Sequence, residues 1–235
     1  MKTRKVAIIT GGSQGIGAGL VSTFRELGYA VVANSRSITA SEHSDVITVP
    51  GDISDPAVAG KVISTAMEKF GRIDTLVNNA GIFIGKPFTE YTQEDYNNIL
   101  QVNLGGFFHI TQKTIAQMVE QGAGHVVNVT TTLVEFANSS APSALASLTK
   151  GGLSSVTKSL AIEYAGRGIR VNAVSLGVIH TPMHPEETHG TLAGWHPVGR
   201  IGTIDDVTHG VLYLEQAPFV TGEILHIDGG QSAGS

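Results

Sequence analysis

Short β-branched runs alternate with longer amphipathic stretches along the whole chain, and this alternation limits the possible folds more than any other feature. The runs are apolar on both faces, as strands are when helices cover both sides of a parallel sheet. The sequence therefore predicts an α/β fold: a Rossmann-type doubly wound parallel sheet of about seven strands with helices on both faces. The predicted strands are Val6–Thr10, Ala30–Ala33, Val46–Val49, Thr75–Asn78, His125–Thr130, Arg170–Ser175 and Ile224–Ile227.

Helical periodicity fills the segments between these predicted strands. After the first strand, Ile16, Leu20 and Phe24 recur at helical spacing. Gly28 then stands where a C′ glycine ends a helix, and Gly71 ends the second predicted helix in the same way. Further helices are predicted over about 55–69, 96–119 and 143–164.

The segment from Leu176 to about Ile204 has no periodicity and contains prolines at 182, 185 and 197. A loop of this length in a compact domain is usually functional, often as a lid over a site. No linker, repeat or low-complexity stretch divides the chain. The sequence therefore predicts a single domain over 1–235, with a lid loop over the substrate at about 183–198.

Composition narrows the class of protein and of partner. Of the 235 residues, 41% are hydrophobic, enough for a large core, while 15% are charged and the formal net charge is −5. Because no basic stripe is present, we expect no nucleic-acid partner. No apolar run is long enough to cross a bilayer, and Val6–Ile9 is too short for a signal peptide, so we expect a cytoplasmic protein without a membrane partner. Cysteine is absent, which excludes disulfides and thiol chemistry.

A glycine-rich stretch, Thr10–Gly17, joins the first predicted strand to the first predicted helix. Its glycines have the spacing G-x-x-x-G-x-G. Glycines let the backbone turn tightly and let a pyrophosphate approach main-chain N–H groups at a helix N-terminus. Considered by itself, the stretch also fits an ordinary glycine-rich turn between a strand and a helix.

Further motifs follow the glycine-rich stretch along the chain. Together with that stretch they make nine motifs in order, and the chain resembles the short-chain dehydrogenase/reductase family over essentially its whole length. The resemblance implies an oxidoreductase in which a nicotinamide dinucleotide transfers a hydride. The further motifs are Gly51-Asp52-Ile53, Asn78–Gly81, Val102-Asn103-Leu104, Lys150-Gly151-Gly152, Arg170–Val174, Gly177–Ile179 with Thr181–Met183, Gly199–Gly202, and Thr221-Gly222 with Asp228–Gly230.

The resemblance assigns cofactor contacts to matching positions of this chain. It implies that the glycine-rich loop holds the pyrophosphate, that residues 52–53 flank the adenine and that residues 79–81 line the groove. Val178 and Thr181 are expected to hold the nicotinamide carboxamide, and Lys150 the nicotinamide ribose. The predicted cofactor-binding residues are Gly11, Ser13, Gln14, Gly15, Ile16, Gly17, Ser35, Arg36, Asp52, Ile53, Asn79, Ala80, Gly81, Lys150, Val178, Thr181 and Met183.

The end of the second predicted strand indicates which dinucleotide is bound. An acidic residue there would bind the ribose 2′-hydroxyl and repel a 2′-phosphate. Ser35 takes that place with Arg36 beside it, and a guanidinium next to a hydroxyl suits a phosphate monoester. Gln14 argues the other way, because many NADP-binding relatives carry a base at its position. We therefore expect NADP as the preferred cofactor and keep NAD as the alternative.

The resemblance also implies a catalytic set, and one member of it is missing. In the family, a tyrosine four residues before the active-site lysine handles the substrate proton. Lys150 is present, but Ala146 stands in the place of the tyrosine, and a methyl group cannot carry a proton. Asn103 matches an asparagine that holds a relay water, and a threonine cluster stands near the position of the carbonyl-polarising hydroxyl. The predicted catalytic residues are Lys150, Asn103, Thr131 and Thr132.

Two replacements for the missing tyrosine remain open. Lys150 can protonate the product directly or through water if burial lowers its pKa. An imidazole of the lid is the second candidate, although each lid histidine also fits an ordinary surface position. Pro182 interrupts any helix that would align histidines for a metal, so we expect no metal site. The lid histidines are His180, His184, His189 and His196.

Three functions are compatible with these motifs. The first is an NADP(H)-dependent oxidoreductase with a non-standard proton donor, acting on a small or aromatic ketone, alcohol or imine. The second is a non-catalytic dinucleotide-binding sensor or partner subunit, and the third is a lyase or isomerase on the same scaffold. Retention of Lys150, Asn103 and the threonines together favours the enzyme.

Apolar residues predict the substrate cavity and an oligomer interface. The cavity is expected to combine 83–88, 132–143 and the loop 183–198. Relatives are mostly tetramers or dimers, and apolar residues in the helix predicted over 96–119 favour a homo-oligomer here too. The apolar cavity residues are Leu133, Phe136, Met183, Leu192 and Trp195, and those of the helix are Val102, Leu104, Phe107 and Phe108.

Overall fold

A parallel sheet of seven strands runs through the computed structural model, which describes residues 4–234. The strand order is β3-β2-β1-β4-β5-β6-β7, and all adjacent strands are parallel. The predicted Rossmann-type fold and all seven predicted strands are therefore confirmed. The strands are β1 Val6–Thr10, β2 Ala30–Ser35, β3 Val46–Pro50, β4 Thr75–Asn78, β5 Gly124–Thr131, β6 Ile169–Leu176 and β7 Ile224–Ile227.

Helices cover both faces of this sheet. Among residues 4–234, a π-helical segment, Gln101–Gly106, joins the third helix to the fourth, and short 3-10 turns lie elsewhere. The α-helices are α1 Gly15–Glu26, α2 Pro56–Phe70, α3 Gln93–Leu100, α4 Phe107–Gln121, α5 Ala144–Tyr164, α6 His189–Ala193 and α7 Ile204–Gln216.

Local sequence signals set the ends of several helices. The Asp55 side chain caps α2 by accepting a hydrogen bond from the Ala57 N–H at 2.8 Å, and Pro56 occupies the first turn. The same helix ends at Gly71, whose φ of 72° is left-handed. Gly28, with φ of 85°, follows the end of α1. The glycines identified in the sequence therefore stand at the helix ends, as predicted.

The prediction of one continuous helix over 96–119 is wrong in two respects, as the observed helix shows. It begins earlier, at Gln93, because Thr92 and Asp95 form a capping box that the apolar pattern does not show. It is also interrupted by the π-helical segment, whose wider turn alters the helical register. Asn103 lies inside this segment, and π-turns of this kind are frequent at functional sites.

The segment between β6 and α7 is less irregular than the sequence indicated. It contains a 3-10 turn at Glu186–Thr188, followed directly by the short helix α6. Ile179 forms an isolated parallel bridge with Gly202, which brings the two ends of the segment together. The five residues of α6 are too few for a periodic apolar pattern to reveal them.

The apolar core lies in two layers, one on each face of the sheet. Along β1, Val6 and Ile8 belong to the layer under α2, α4 and α5, while Ala7 and Ile9 belong to the layer under α1 and α7. This alternation is what a strand buried on both faces requires. None of the helices in residues 4–234 is long and apolar enough to cross a membrane.

A buried polar cluster closes the edge of the sheet where the strands begin, which we call the amino edge. The Glu215 carboxylate accepts hydrogen bonds from Tyr29 Oη at 2.8 Å, Thr75 Oγ1 at 3.0 Å and His125 Nδ1 at 2.7 Å. His125 Nε2 accepts from Asn172 Nδ2 at 3.1 Å, and burial lowers the pKa of His125, so its ring is neutral. Burial raises the pKa of Glu215, but the hydrogen bonds from His125 and its other partners outweigh burial and bring the pKa to about 2.

Candidate active site

A cavity of about 730 Å³ opens where β1, β4, β5 and β6 end, which we call the carboxyl edge. The strand order reverses between β1 and β4, and open α/β sheets place ligands at such a point. All the predicted cofactor-binding residues line this cavity, and of the predicted catalytic residues Lys150, Thr131 and Thr132 do so. Asn103 lies behind the cavity wall instead.

The glycine-rich loop leaves the N-terminus of α1 open to the cavity. Gln14, the N-cap residue, makes no side-chain capping bond, so it does not satisfy the first N–H groups of the helix. Gly15 has a left-handed φ of 53°. A Cβ atom at position 17 would collide with the Gly11 carbonyl oxygen, so only glycine fits there. A pyrophosphate suits this cradle of open N–H groups.

Thr10 and Asn79 tie the glycine-rich loop to the end of β4. Thr10 Oγ1 accepts hydrogen bonds from the N–H groups of Asn79 at 3.1 Å and Ala80 at 3.0 Å. Asn79 Nδ2 in turn donates to the Thr10 carbonyl at 3.0 Å. These bonds fix the groove that 79–81 line and give Thr10 a positioning role that the sequence analysis missed.

A group of polar side chains lies at the far end of the groove, beyond β2. The hydroxyls of Ser13 and Ser35 are 2.9 Å apart. Arg36 is exposed and makes no hydrogen bond or ion pair with any other residue of 4–234. Asp52 differs, because its Oδ1 accepts hydrogen bonds from the N–H of Ser54 at 3.0 Å and from the Ser54 hydroxyl at 2.8 Å. Since one of these hydroxyls donates to the other, a guanidinium and one hydroxyl proton are available here for an anion.

Lys150 lies on α5 with its amine at the cavity wall. Its Nζ donates a hydrogen bond to the Val129 carbonyl at 2.7 Å, and burial lowers the pKa of Lys150 to about 8. Ala146, one turn earlier on the same helix, also lines the cavity and is 3% exposed. An ammonium group with an accessible pKa therefore stands beside a methyl group that offers no proton.

The Asn103 side chain makes three hydrogen bonds within the protein. Its Oδ1 accepts from the Ile82 N–H at 2.9 Å, and its Nδ2 donates to the Ile82 carbonyl and to Thr149 Oγ1, each at 3.1 Å. Both amide protons are therefore used within the protein, which leaves a spare lone pair on Oδ1. The predicted role of holding a relay water is narrowed accordingly: Asn103 can accept a hydrogen bond from water but cannot donate one.

The two candidate threonines have different environments. Thr132 is 1% exposed, and its hydroxyl donates to Gln231 Oε1 at 3.0 Å and also lies 3.3 Å from the Leu176 carbonyl. Thr131 is less buried, and its Oγ1 accepts from the Leu133 N–H at 3.3 Å. Within residues 4–234, nothing accepts the proton of the Thr131 hydroxyl. Thr131 is therefore the better placed of the two to polarise a carbonyl.

In the turn after β6, both backbone groups of Val178 already have protein partners. The Val178 N–H donates to His196 Nε2 at 3.0 Å, and its carbonyl accepts from the Gly202 N–H at 2.8 Å. The Val178 N–H is therefore not available to a carboxamide, whereas its carbonyl keeps a second lone pair. Ile179 also lines the cavity, and no residue of 4–234 hydrogen-bonds its N–H or its carbonyl. The free backbone groups of this turn therefore belong to Ile179.

His196 is a buried structural residue rather than a surface histidine of the lid. It is 3% exposed, and both ring nitrogens are used: Nδ1 donates to the Leu192 carbonyl at 3.0 Å, and Nε2 accepts from Val178. A Cβ atom at position 177 would lie 2.7 Å from His196 Nε2, so Gly177 makes room for the ring. The ring therefore connects α6, at the cavity wall, to the turn after β6.

The other three lid histidines have separate surroundings. His180 is exposed, and its ring packs edge-on against that of His189 with centroids 4.6 Å apart. His189 Nε2 lies 2.9 Å from the His184 carbonyl oxygen. Among the lid histidines, His184 is the one that lines the cavity, and burial, together with the neighbouring His189, lowers its pKa.

The end of the cavity beyond Lys150 is apolar. Residues from all three segments predicted for the substrate contribute to it, but Phe136 does not. Phe136 follows the 3-10 turn after β5, where its N–H donates to the Thr132 carbonyl at 2.7 Å. The apolar residues that line this end include Phe83, Leu133, Pro142, Met183, Leu192 and Trp195.

Known proteins are similar to this chain in sequence and in fold over nearly their whole length. The model of the enoyl-(acyl carrier protein) reductase family matches residues 11–232. The 3-oxoacyl-(acyl-carrier-protein) reductase FabG of Thermotoga maritima is 36% identical to the chain and aligns with 96% of it and 97% of that reductase. The 3alpha-hydroxysteroid dehydrogenase of Mediterraneibacter gnavus is 35% identical and aligns with 97% of each.

Two solved structures similar to this one contain a dinucleotide. ElxO with NADP bound has a TM-score of 0.92 and 30% identity, covering 98% of this chain and all of that one. The 3-ketoacyl-(acyl-carrier-protein) reductase from Brucella melitensis, complexed with NADH, has a TM-score of 0.91 and 33% identity, covering 97% and 98%. On these sequence and structural grounds, the chain belongs to the short-chain dehydrogenase/reductase family of NAD(P)-dependent oxidoreductases.

Proposed function

We propose that the protein is an NADP(H)-dependent oxidoreductase that transfers a hydride to or from a small or aromatic ketone, alcohol or imine. One observation carries this proposal: a single cavity joins the open N-terminus of α1, the amine of Lys150 and an apolar end. The first suits a pyrophosphate, the second a ribose and a proton transfer, and the third an apolar substrate. A site for binding alone would have no use for the third.

The preference for NADP rests on the polar group beyond β2. A 2′-phosphate carries negative charge, and Arg36 is a cation without a protein partner in 4–234. The hydroxyls of Ser13 and Ser35 line the same cavity, and since one donates to the other, one proton is left for a phosphate. Because position 35 is a serine and not an acidic residue, no carboxylate repels a phosphate there. Gln14 supplies no positive charge, so the preference depends on Arg36.

The chain's own residues would orient the nicotinamide. The dinucleotide, when bound, supplies or accepts the hydride. The free N–H and carbonyl of Ile179, with the Thr181 side chain, suit the two ends of a carboxamide. Lys150 donates one of its three ammonium protons to Val129, which leaves two for ribose hydroxyls and for a substrate or water oxygen.

Lys150 would also replace the missing tyrosine. During reduction, the hydride leaves a negative charge on the substrate oxygen, and a proton must reach that oxygen. With a pKa of about 8, the Lys150 ammonium is charged at neutral pH and is acidic enough to give up a proton, directly or through a water. Thr131 would polarise the carbonyl by donating its free hydroxyl proton. His184 remains the alternative donor, since it is the lid histidine that lines the cavity.

The first test is to titrate the protein with NADPH and NADH by fluorescence. NADPH oxidation is then followed by absorbance with a panel of ketones and cyclic imines. We expect tighter binding of NADPH than of NADH, and turnover with apolar carbonyl compounds. NADPH binding without turnover on any substrate would favour a sensor, a function that Ala146 also permits. Failure to bind either dinucleotide would overturn the proposal.

We further propose that the enzyme is a cytoplasmic homo-oligomer, a tetramer or a dimer. Of the four apolar residues suggested for an interface, Phe108 is exposed, at 54%, whereas Val102, Leu104 and Phe107 are partly buried. Ile162 on α5 is 80% exposed, so both long helices present apolar surface. Light scattering of the purified protein would measure its mass, and a monomer at micromolar concentration would contradict this proposal.

A further inference from the structure

A buried carboxamide forms part of the cavity wall. Gln231 is 3% exposed, yet it lines the same cavity as Leu133, Leu192 and Trp195. The Thr132 hydroxyl donates a hydrogen bond to Gln231 Oε1 at 3.0 Å. Gln231 Nε2 donates to no residue of 4–234. Gln231 Nε2 is not one of the fully buried unpaired atoms, so it faces the cavity, and a ligand there can supply the acceptor that the protein does not.

The backbone around Gln231 is held in place on both sides. The Asp228 carboxylate accepts hydrogen bonds from the N–H groups of Gly230 at 2.9 Å and Ser232 at 2.8 Å. The Gln231 N–H itself donates to the Asp228 carbonyl at 3.1 Å. With its backbone and Oε1 both fixed, the side chain has little freedom to turn Nε2 towards another acceptor.

The proton of the Thr132 hydroxyl decides whether the Gln231 side chain turns its oxygen or its nitrogen towards the cavity. The Thr132 hydroxyl has a single proton, and it lies closer to Gln231 Oε1, at 3.0 Å, than to the Leu176 carbonyl, at 3.3 Å. The shorter contact leaves Nε2 as the free atom. If the hydroxyl donated to Leu176 instead, Gln231 would turn its oxygen to the ligand, so the two arrangements select opposite ligand groups.

The charges of the cavity wall restrict the ligand further. Of the titratable side chains of the wall, Arg36, Asp52 and Lys150 are in the part assigned to the cofactor. Burial lowers the pKa of the remaining one, His184, which favours its neutral form. Around Leu133, Leu192 and Trp195, no charged side chain of 4–234 compensates a charge on the substrate. Since an uncompensated charge is costly to remove from water, an uncharged substrate fits this end.

We propose that Gln231 is a specificity-determining residue that donates a hydrogen bond to a second, non-reacting oxygen of the substrate. The preferred substrate class is then an uncharged, mainly apolar carbonyl compound with a further carbonyl or ether oxygen. This inference rests on the proposed reductase function, because it concerns the substrate of the same cavity. It adds a recognition element that does not take part in the transfer of hydride or proton.

The test compares a cyclic diketone with the matched cyclic monoketone under saturating NADPH. We expect the wild-type kcat/KM for the diketone to exceed that for the monoketone about tenfold or more, beyond the factor of two for two equivalent carbonyls. Gln231→Leu should bring the corrected ratio close to one. Gln231→Glu should also lose the preference, because a carboxylate accepts from Thr132 but cannot donate. Gln216→Leu, at an exposed position of α7, is the matched control and should keep the ratio.

Three outcomes would overturn the inference while the reductase function stands. One is turnover in which the ratio is the same in Gln231→Leu as in wild type. Another is a wild-type preference for a hydroxyketone with a hydrogen-bond donor over the diketone, which would assign the free position to the amide oxygen. The third is absence of any wild-type preference. Loss of all wild-type turnover would instead contradict the proposed function, and an unchanged NADPH Kd in Gln231→Leu would establish that the variant is folded.

Discussion

At the amino edge of the sheet, Glu215 shares its carboxylate among Tyr29, Thr75 and His125, and each of these donors has its place in a closed cluster. At the carboxyl edge, several polar groups are left without protein partners within residues 4–234. They include the Arg36 guanidinium, the Ile179 backbone and Gln231 Nε2. The same strands supply both edges, so the sheet itself does not cause the difference.

The comparison shows where the fold gains stability and where it keeps capacity for a ligand. A buried polar group that is satisfied by the protein contributes to a unique structure, whereas one that faces the open cavity is hydrated and keeps its hydrogen-bonding capacity for a ligand. Changes at the amino edge should therefore alter unfolding, and changes at the carboxyl edge should alter binding and turnover. Each prediction below tests whether this division holds.

Lys150→Ala is expected to have the largest effect. Removing the amine takes away both the proposed contact to the ribose and the proposed proton donor, so kcat/KM should fall by about 10² to 10⁴. Stability should change little or rise, because burial disfavours the charge on this amine. Lys158→Ala on the exposed side of α5 is the matched control and should keep full activity. Steady-state NADPH oxidation with any accepted ketone measures both variants.

The pH profile of the wild type separates the two roles of Lys150. As the donor of a proton, the amine must be charged, so the rate of reduction should fall as pH rises through about 8. NADPH binding need not follow the same curve, since ribose can also hydrogen-bond a neutral amine. A rate that stays constant between pH 7 and about 10 would exclude Lys150 as the donor and favour a different group.

Glu215→Gln tests the amino edge and is expected to lower the free energy of unfolding by about 2 kcal/mol. The glutamine amide presents donors to groups that need an acceptor. Because the folded pKa of Glu215, about 2, lies below its ordinary value of 4.5, its contribution is full above pH 4.5 and is lost as pH falls towards 2. Urea unfolding across this pH range should therefore show a shallower acid dependence in the variant.

Glu68→Gln, at an exposed position of α2, controls for the loss of one negative charge. It should unfold like the wild type. The NADPH Kd of folded Glu215→Gln should also match the wild type, because the cluster lies at the opposite edge from the cavity. A weakened Kd in this variant would contradict the division between the two edges.

The sequence predicted the strands and the glycine-rich turn between β1 and α1 well because both depend on local patterns. Apolar runs, glycine spacing and Lys150 are visible in short windows of the chain. The polar contacts that distinguish the edges are not, because they join distant residues: Tyr29 and Glu215 are separated by 186 positions, and Thr132 and Gln231 by 99. No periodicity marks such pairs. The burial of His196 was missed for the same reason, since it depends on the space left at Gly177.

Arg36→Ala sharpens the account of the carboxyl edge. If the guanidinium is kept free for a 2′-phosphate, the Kd for NADPH should rise by about tenfold to a hundredfold, while the Kd for NADH should stay within about a factor of two. Fluorescence titration with both dinucleotides gives the ratio directly. Equal weakening for both would mean that Arg36 does not read the phosphate. Arg167→Ala, exposed after α5, should leave both values unchanged.

His196→Leu is expected to have the smallest effect. It tests whether a side chain whose hydrogen bonds are all made within the protein can still support dinucleotide binding at the carboxyl edge. Leucine removes the acceptor of the Val178 N–H, so the turn that presents the free backbone of Ile179 loses one of its supports. The Kd for NADPH should rise by about threefold to tenfold. His196→Gln can restore an acceptor, so it should recover part of the affinity. If His196→Leu instead lowers the free energy of unfolding and leaves the NADPH Kd unchanged, His196 stabilises the fold as the amino-edge cluster does. The edge at which a residue lies would then not predict whether it affects stability or binding.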